Sequence, residues 1–155
     1  GRHGLVACQW DHSQGIPIRW YGGNLTNSTP PNYNYANISA MGDGVGAGLL
    51  NTSIIMAKEG PLGDGNNFAA RICMFEPPGV FIGFGYGDWY LPSKKELNLM
   101  YLQKAIIPGL NNSNTYWSST EGSMINKAWA QNMGNGSQTS ISTNTSYHVR
   151  AIRKF

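Results

Sequence analysis

The side chains that could do chemistry in this chain are few and scattered. His3, His12 and His148 stand far apart and in no ligand spacing, so each reads as an ordinary surface or strand histidine. There is no Gly-x-Ser-x-Gly elbow and no evident Ser, His, Asp order, so nucleophilic catalysis has no visible seat. Gly42-Asp43-Gly44-Val45-Gly46-Ala47-Gly48 lacks both the Gly-Lys-Ser/Thr ending of a phosphate loop and the glycine spacing of a dinucleotide fingerprint. It reads as a flexible loop entering a helix. Gly63-Asp64-Gly65-Asn66-Asn67 offers a single carboxylate and no bidentate Glu, so a helix N-cap turn is expected there rather than a Ca²⁺ loop. The chain is therefore expected to be no enzyme, with no catalytic residues, no metal and no cofactor.

Cys8 and Cys73 occur without any Cys-x-x-Cys. One disulfide of an exported domain is expected, with two buried thiols as the alternative. Several Asn-x-Ser/Thr sequons occur, Asn24, Asn27 and Asn135 among them, but a chain rich in Asn, Ser and Thr produces them by chance. Lys and Arg number 11 against 8 Asp and Glu, a net charge of +3. That balance favours anionic partners and is too small to imply nucleic acid.

These residues must be held by a chain of 155 residues, enough for one domain, with 41% hydrophobic and only 12% charged residues. The surface must then be built from amides, hydroxyls and glycine, a composition common outside the cell. No apolar run is long enough to cross a membrane. Residues 3–10 and 16–21 read as strands, and 22–38 as a long loop broken by Gly22-Gly23 and Pro30-Pro31. Residues 47–58 read as a helix with Leu49, Leu50, Ile54 and Ile55 as its apolar stripe, and 67–74 as a shorter one. Ser93-Lys94-Lys95-Glu96 is a capping box, and Leu97, Met100 and Tyr101 then share one face of a largely buried helix. Residues 115–120, 127–133, 138–142 and 147–154 read as strands, with Asn135-Gly136 as a tight primed turn. The whole is one α+β domain, helices packed on a mostly antiparallel sheet.

Gly87-Asp88-Trp89-Tyr90-Leu91-Pro92-Ser93-Lys94-Lys95-Glu96-Leu97-Asn98-Leu99-Met100-Tyr101 resembles the signature of the Legionella collagen-like protein (Lcl) C-terminal domain family. Tyr116-Trp117-Ser118-Ser119-Thr120-Glu121, Ala128-Trp129-Ala130-Gln131-Asn132 and Tyr147-His148-Val149-Arg150-Ala151-Ile152-Arg153-Lys154-Phe155 follow in the family's order, after His3-Gly4-Leu5-Val6-Ala7 as its early strand. The resemblance implies a single domain over residues 1–155, cut from a longer chain with an upstream collagen-like stalk, and a fold akin to C-type lectins and formylglycine-generating enzymes. It implies an extracellular adhesin head at the bacterial surface that binds sulfated glycosaminoglycans and aids attachment and aggregation. Through the stalk, whose Gly at every third residue packs only in a triple helix, it implies a homotrimer. Neither nucleic acid nor membrane insertion is implied. The chain lacks the Glu-Pro-Asn and Trp-Asn-Asp motifs of calcium-dependent lectins, which Glu76-Pro77-Pro78 only echoes, and the paired catalytic cysteines of the enzyme branch. The alternative is a trimerisation or protein-recognition module without direct sugar binding.

A sulfated polymer requires cations that neutralise successive charges. As a continuous strand, residues 147–154 put His148, Arg150, Ile152 and Lys154 on one face and Arg153 on the other. Arg150 suits a bidentate oxyanion contact, or else a structural pairing with Asp88 or Glu96. Lys94 and Lys95, with free backbone N–H groups in a first helical turn, would make an anion site, or else are solubilising lysines. Lys127 extends the patch, as does Lys104 unless it snorkels from a buried face. The expected ligand contacts are thus Lys94, Lys95, Lys127, Arg150, Arg153 and Lys154. Tyr33, Tyr35 and Trp89 could stack on sugar rings, whereas Trp117 and Trp129 read as core.

Overall fold

The computed structural model describes residues 3–22, 37–59, 67–75, 88–110 and 113–155. Strands β1 (Leu5–Ala7) and β2 (Ile18–Arg19) lead to helices α1 (Ala47–Glu59), α2 (Ala69–Phe75) and α3 (Lys94–Leu102). Strands β3 (Thr115–Glu121), β4 (Lys127–Asn132), β5 (Gln138–Ser142), β6 (Ser146–Tyr147) and β7 (Ile152–Lys154) follow. Every named ladder is antiparallel: β3-β4-β5 form one sheet, β2 pairs with β6, and β1 pairs with β7. The α+β class therefore holds, with the helices ahead of the main sheet.

β3 is buried along almost its whole length because it is covered on both faces. On one side Trp117 joins Trp20, Ile55, Phe68, Ile72 and Leu91 in the larger apolar cluster. On the other Tyr116 joins Tyr90, Leu97, Met100, Met133 and Ile152. Burying two tryptophans requires partners for two indole N–H groups. Trp20 Nε1 donates to Ser118 O at 2.8 Å and Trp117 Nε1 to Ile18 O at 2.9 Å, so β2 and β3 are clasped reciprocally. Ser118 and Thr120 of β3 are tied in the same way: Ser118 Oγ donates to Trp129 O, and Thr120 Oγ1 to Gly42 O.

Three expectations change. In α1, Leu49 and Leu50 are exposed, while Gly48, Asn51, Thr52, Ile55 and Glu59 face inward. Polar contacts set that face: Asn51 Nδ2 reaches Gly42 O and Ser119 Oγ, and Thr52 Oγ1 accepts from Leu91 N. The turn after β4 is wider than a two-residue primed turn, with Gly136 N donating to Asn132 O and Asn132 N to Ser137 O. Only Gly136 takes a positive φ there, +79°, while Asn132 Oδ1 accepts from Gly134 N and Asn135 N. Residues 147–154 are not one strand. Between β6 and β7 the backbone changes partners, His12 N donating to Val149 O and Cys8 N to Ala151 O. Val149, Arg150, Ala151 and Ile152 are consequently buried in succession, and the two-residue alternation fails.

Candidate functional site

The capping box of α3 forms as read, Ser93 Oγ accepting from Glu96 N and Glu96 Oε2 from Ser93 N. The remaining N–H groups of the first turn are also taken. Lys94 N donates to Thr120 Oγ1 at 2.9 Å and Lys95 N to Asp43 Oδ1 at 2.7 Å. The expected anion site on free backbone N–H groups is thus closed, because Asp43 is already the anion at that helix end.

The side chains of the turn point elsewhere. Lys94 Nζ lies 3.6 Å from the centroid of the Trp129 ring, a cation–π contact. Trp129 is not a core residue. On β4, Ala128 and Ala130 face the core, so Lys127, Trp129 and Gln131 face the other way. Trp129 stands opposite Ser140, and Lys127 opposite Ser142. Gln138 Nε2 ties β5 to α3 through Lys94 O at 2.8 Å. The outer face of β4 and β5 therefore gathers Lys94, Lys127, an aromatic ring and two serine hydroxyls, with Lys95 exposed one residue along α3. The signal for Trp129 was in the sequence: an aromatic between two alanines, flanked by Lys127 and Gln131, belongs to the polar face.

Arg150 has to be corrected. It is 0% exposed, and four hydrogen bonds take up its guanidinium. Nε donates to Asp11 Oδ1 at 2.7 Å, Nη1 to Cys8 O and Pro108 O, and Nη2 to Gly109 O at 2.6 Å. It is a structural residue and its carboxylate is Asp11, not Asp88 or Glu96. Arg153 is held by Asp88, Nη1 to Oδ2 at 3.6 Å, and lies over the Trp89 ring. Lys154 is exposed beside Gly46, where an added Cβ would meet its ammonium. Lys104 Nζ donates to Met133 O at 2.7 Å over the Tyr101 ring, a snorkelling contact. Of the expected cations, the structure sets Lys94 against Trp129 and Lys127 on the same strand face, leaves Lys95 and Lys154 exposed, pairs Arg153 and buries Arg150. Tyr33, Tyr35, Gly63 to Asn66 and Glu76-Pro77-Pro78 lie outside the described residues.

The disulfide expectation is also corrected: Cys8 and Cys73 are free, buried thiols. Cys8 Sγ donates to Trp10 O, and burial pushes its thiol up to about 11. Cys73 sits in the larger apolar cluster on α2.

Glu59 and His12 shape the pH response, alongside Glu121, whose carboxyl burial also raises. Glu59 accepts from Gly22 N at 2.9 Å; burial, with Glu121 nearby, raises its carboxyl from 4.5 to about 7. His12, whose Nδ1 accepts from Ala151 N, is lowered by burial and then by the Arg150 charge to about 4. The folded state therefore favours protonated Glu59, a contribution complete below about pH 4.5 and lost as pH rises through about 7. It also favours neutral His12, a contribution complete above about 6.5 and lost as pH falls through about 4. Where the windows overlap the two slopes oppose each other. Glu59→Gln removes the first alone, so its stability relative to the native chain is expected to rise between about pH 4.5 and 7, by on the order of 3 kcal/mol, and then level off. Urea unfolding across that range checks it; a gap that stays flat with pH would show that Glu59 is ionised throughout.

The described residues thus form a small α+β module whose exposed chemistry is cationic and hydroxyl-rich. The family model of the Lcl C-terminal domain matches residues 69–153, more than half of the chain, and the protein belongs to that family. No curated protein matches the chain.

Proposed function

We infer that this chain is the head domain of a collagen-like bacterial surface adhesin and that it binds sulfated glycosaminoglycans. Family membership supports the adhesin part. The ligand reading is carried by the distribution of charge. Among the described residues Glu59, Glu96 and Glu121 are buried and Asp11 is engaged by Arg150, so the acids left at the surface are Asp43 and Asp88. Against these stand Lys94, Lys95, Lys127, Arg153 and Lys154, so a ligand meets a more basic surface than a net charge of +3 suggests. Lys94 against the Trp129 ring and Lys127 on the same strand face, beside Ser140 and Ser142, offer ammonium groups to sulfates and a hydroxyl-lined face to sugar rings.

The domain binds rather than catalyses in this reading. With its thiol pushed up to about 11, Cys8 supplies no thiolate at neutral pH, and Cys73 is fully buried in the larger apolar cluster. The fold is read as lectin-like, on helices flanking antiparallel ladders, and the location as extracellular. No described helix is long and apolar enough to cross a membrane. An apolar groove of about 410 Å³ lined by Leu5, Ala7, Val45, Leu99, Met100 and Ile106 favours a second reading, in which the head chiefly packs against other copies in a trimer.

Heparin–agarose elution by NaCl tests the ligand. The native domain is expected to be retained at low salt, and Lys94→Glu with Lys127→Glu to elute much earlier. The salt slope should fall by about one for each lost contact. Unchanged elution of the double variant would remove the Trp129 face from the reading. A trimer by light scattering that ignores heparin at low salt would favour the second reading.

A further inference from the structure

The opposite face of the same sheet carries a second feature that the cations do not touch. The ladder places Trp117, Ala130 and Thr139 side by side across β3, β4 and β5, and Thr115 beside Asn132. Directly paired residues share a face, so Thr115, Asn132 and Thr139 stand around Ala130. A methyl group at that centre leaves a hollow of about 180 Å³, bounded also by Ser137, Ile141 and Tyr147. Drug-sized ligands fill pockets of about 300 Å³ and more, so this one fits a single ring with its substituents.

Its lining is uncharged and rich in groups that both donate and accept. Among the described residues, the hydroxyls of Thr115, Ser137, Thr139 and Tyr147 have no hydrogen-bond partner, and neither has Asn132 Nδ2. Asn132 Oδ1 is held by two turn N–H groups, which fixes the direction of its amide. Tyr147 is fixed as well: it pairs with Ile18 in the β2–β6 ladder, and its ring meets Trp117 edge-on at 4.9 Å. An aromatic wall beside convergent hydroxyls and one amide, with no charge, matches a pyranose, which has an apolar C–H face and vicinal hydroxyls. Preorganised groups on strands keep the ordering cost of binding low.

We propose that this hollow is a subsite for one uncharged pyranose unit of a glycan, stacked on Tyr147 and hydrogen-bonded by Thr115, Asn132 and Thr139. The subsite is independent of the anionic reading, since no cation lines it. The test is an amide NMR titration of the whole domain with methyl β-galactopyranoside, methyl β-glucopyranoside, methyl α-mannopyranoside and N-acetylglucosamine. At least one is expected to shift Thr115, Asn132 and Thr139 in the millimolar range, unchanged by added NaCl. Thr115→Val with Thr139→Val keeps the shape and removes two hydroxyls, so affinity should fall about tenfold. Thr139→Trp, at an exposed position, fills the hollow and should abolish the shifts while the rest of the spectrum shows the fold intact. Lys94→Glu with Lys127→Glu should leave the titration as it was. No shift from any of the four sugars, shifts that survive Thr139→Trp, or shifts lost with the lysines would each overturn the subsite.

Discussion

Arg150→Met is expected to cost about 3–5 kcal/mol of folding stability, the largest loss from any single substitution considered for this domain. The side chain is fully buried, and its fork joins three segments of chain that are remote in sequence. Cys8 O follows β1, Asp11 lies beyond it, Pro108 O and Gly109 O form the turn after α3, and Arg150 itself lies between β6 and β7. The methionine fills much of the volume but leaves three carbonyls and one carboxylate oxygen without their donors. Gly109 folds around the guanidinium at φ +66°, where an added Cβ would meet Gln9 O at 2.9 Å. Asp11 keeps Tyr116 Oη as a donor at 2.8 Å, so part of its charge stays solvated by the protein. Asp11→Asn is expected to cost less, because its amide oxygen can still accept from Arg150 Nε while its NH₂ turns to Tyr116 Oη, a hydroxyl that can also accept. Urea unfolding followed by the fluorescence of buried Trp20 and Trp117 measures both. A loss below about 1 kcal/mol for Arg150→Met would place it with ordinary surface substitutions and refute the stapling role. Heparin binding by this variant has to be compared only where it is folded.

Glu96→Gln is expected to cost about 3 kcal/mol although it changes no volume. Glu96 Oε1 accepts from Gly46 N at 2.7 Å and Tyr90 Oη at 3.1 Å, and Oε2 from Ser93 N at 2.9 Å and Gly48 N at 3.2 Å. An amide has one oxygen, so its NH₂ must face at least one backbone N–H wherever it points. Gly48 leaves no room for relief, since even a Cβ there would meet Leu91 O and Ser93 N at 2.7 Å. Burial, and then the Glu96 carboxylate, push the Tyr90 phenol up, which keeps its proton on the oxygen as donor. Ser93→Ala is the comparison. It loses the cap and the bond to Gly44 O, and should cost about 1–2 kcal/mol. If the two variants lose equal stability, Glu96 is a helix cap and no more. If Glu96→Gln loses clearly more, the carboxylate is what docks the 42–48 loop onto α3.

The sequence by itself determined what local chemistry determines. Ser93 and Glu96 are three residues apart in a helical register, so the capping box needed nothing else to be read. The order of helices then strands, the span of α1 to within one residue, the span of β5 and the family followed from patterns of that short range. The alternation of β4 likewise contained the outward Trp129, although tryptophan's apolarity argued for the core. What Arg150 does was beyond that range. Its position in a strand-like run suggested an exposed cation, and only the meeting of Cys8, Asp11, Pro108 and Gly109 around it makes burial of a charge tolerable. The same holds for the cysteines, whose pairing is a question of distance, and for the inward face of α1, chosen by Asn51 and Thr52 because their partners lie on other elements. The first turn of α3 shows both sides at once. Its lysines were legible as cations, but tertiary structure gave its N–H groups to Asp43 and Thr120 and brought Lys94 to Trp129. Side-chain type is a property of one position; a site is a property of several, and the fold alone brings them together.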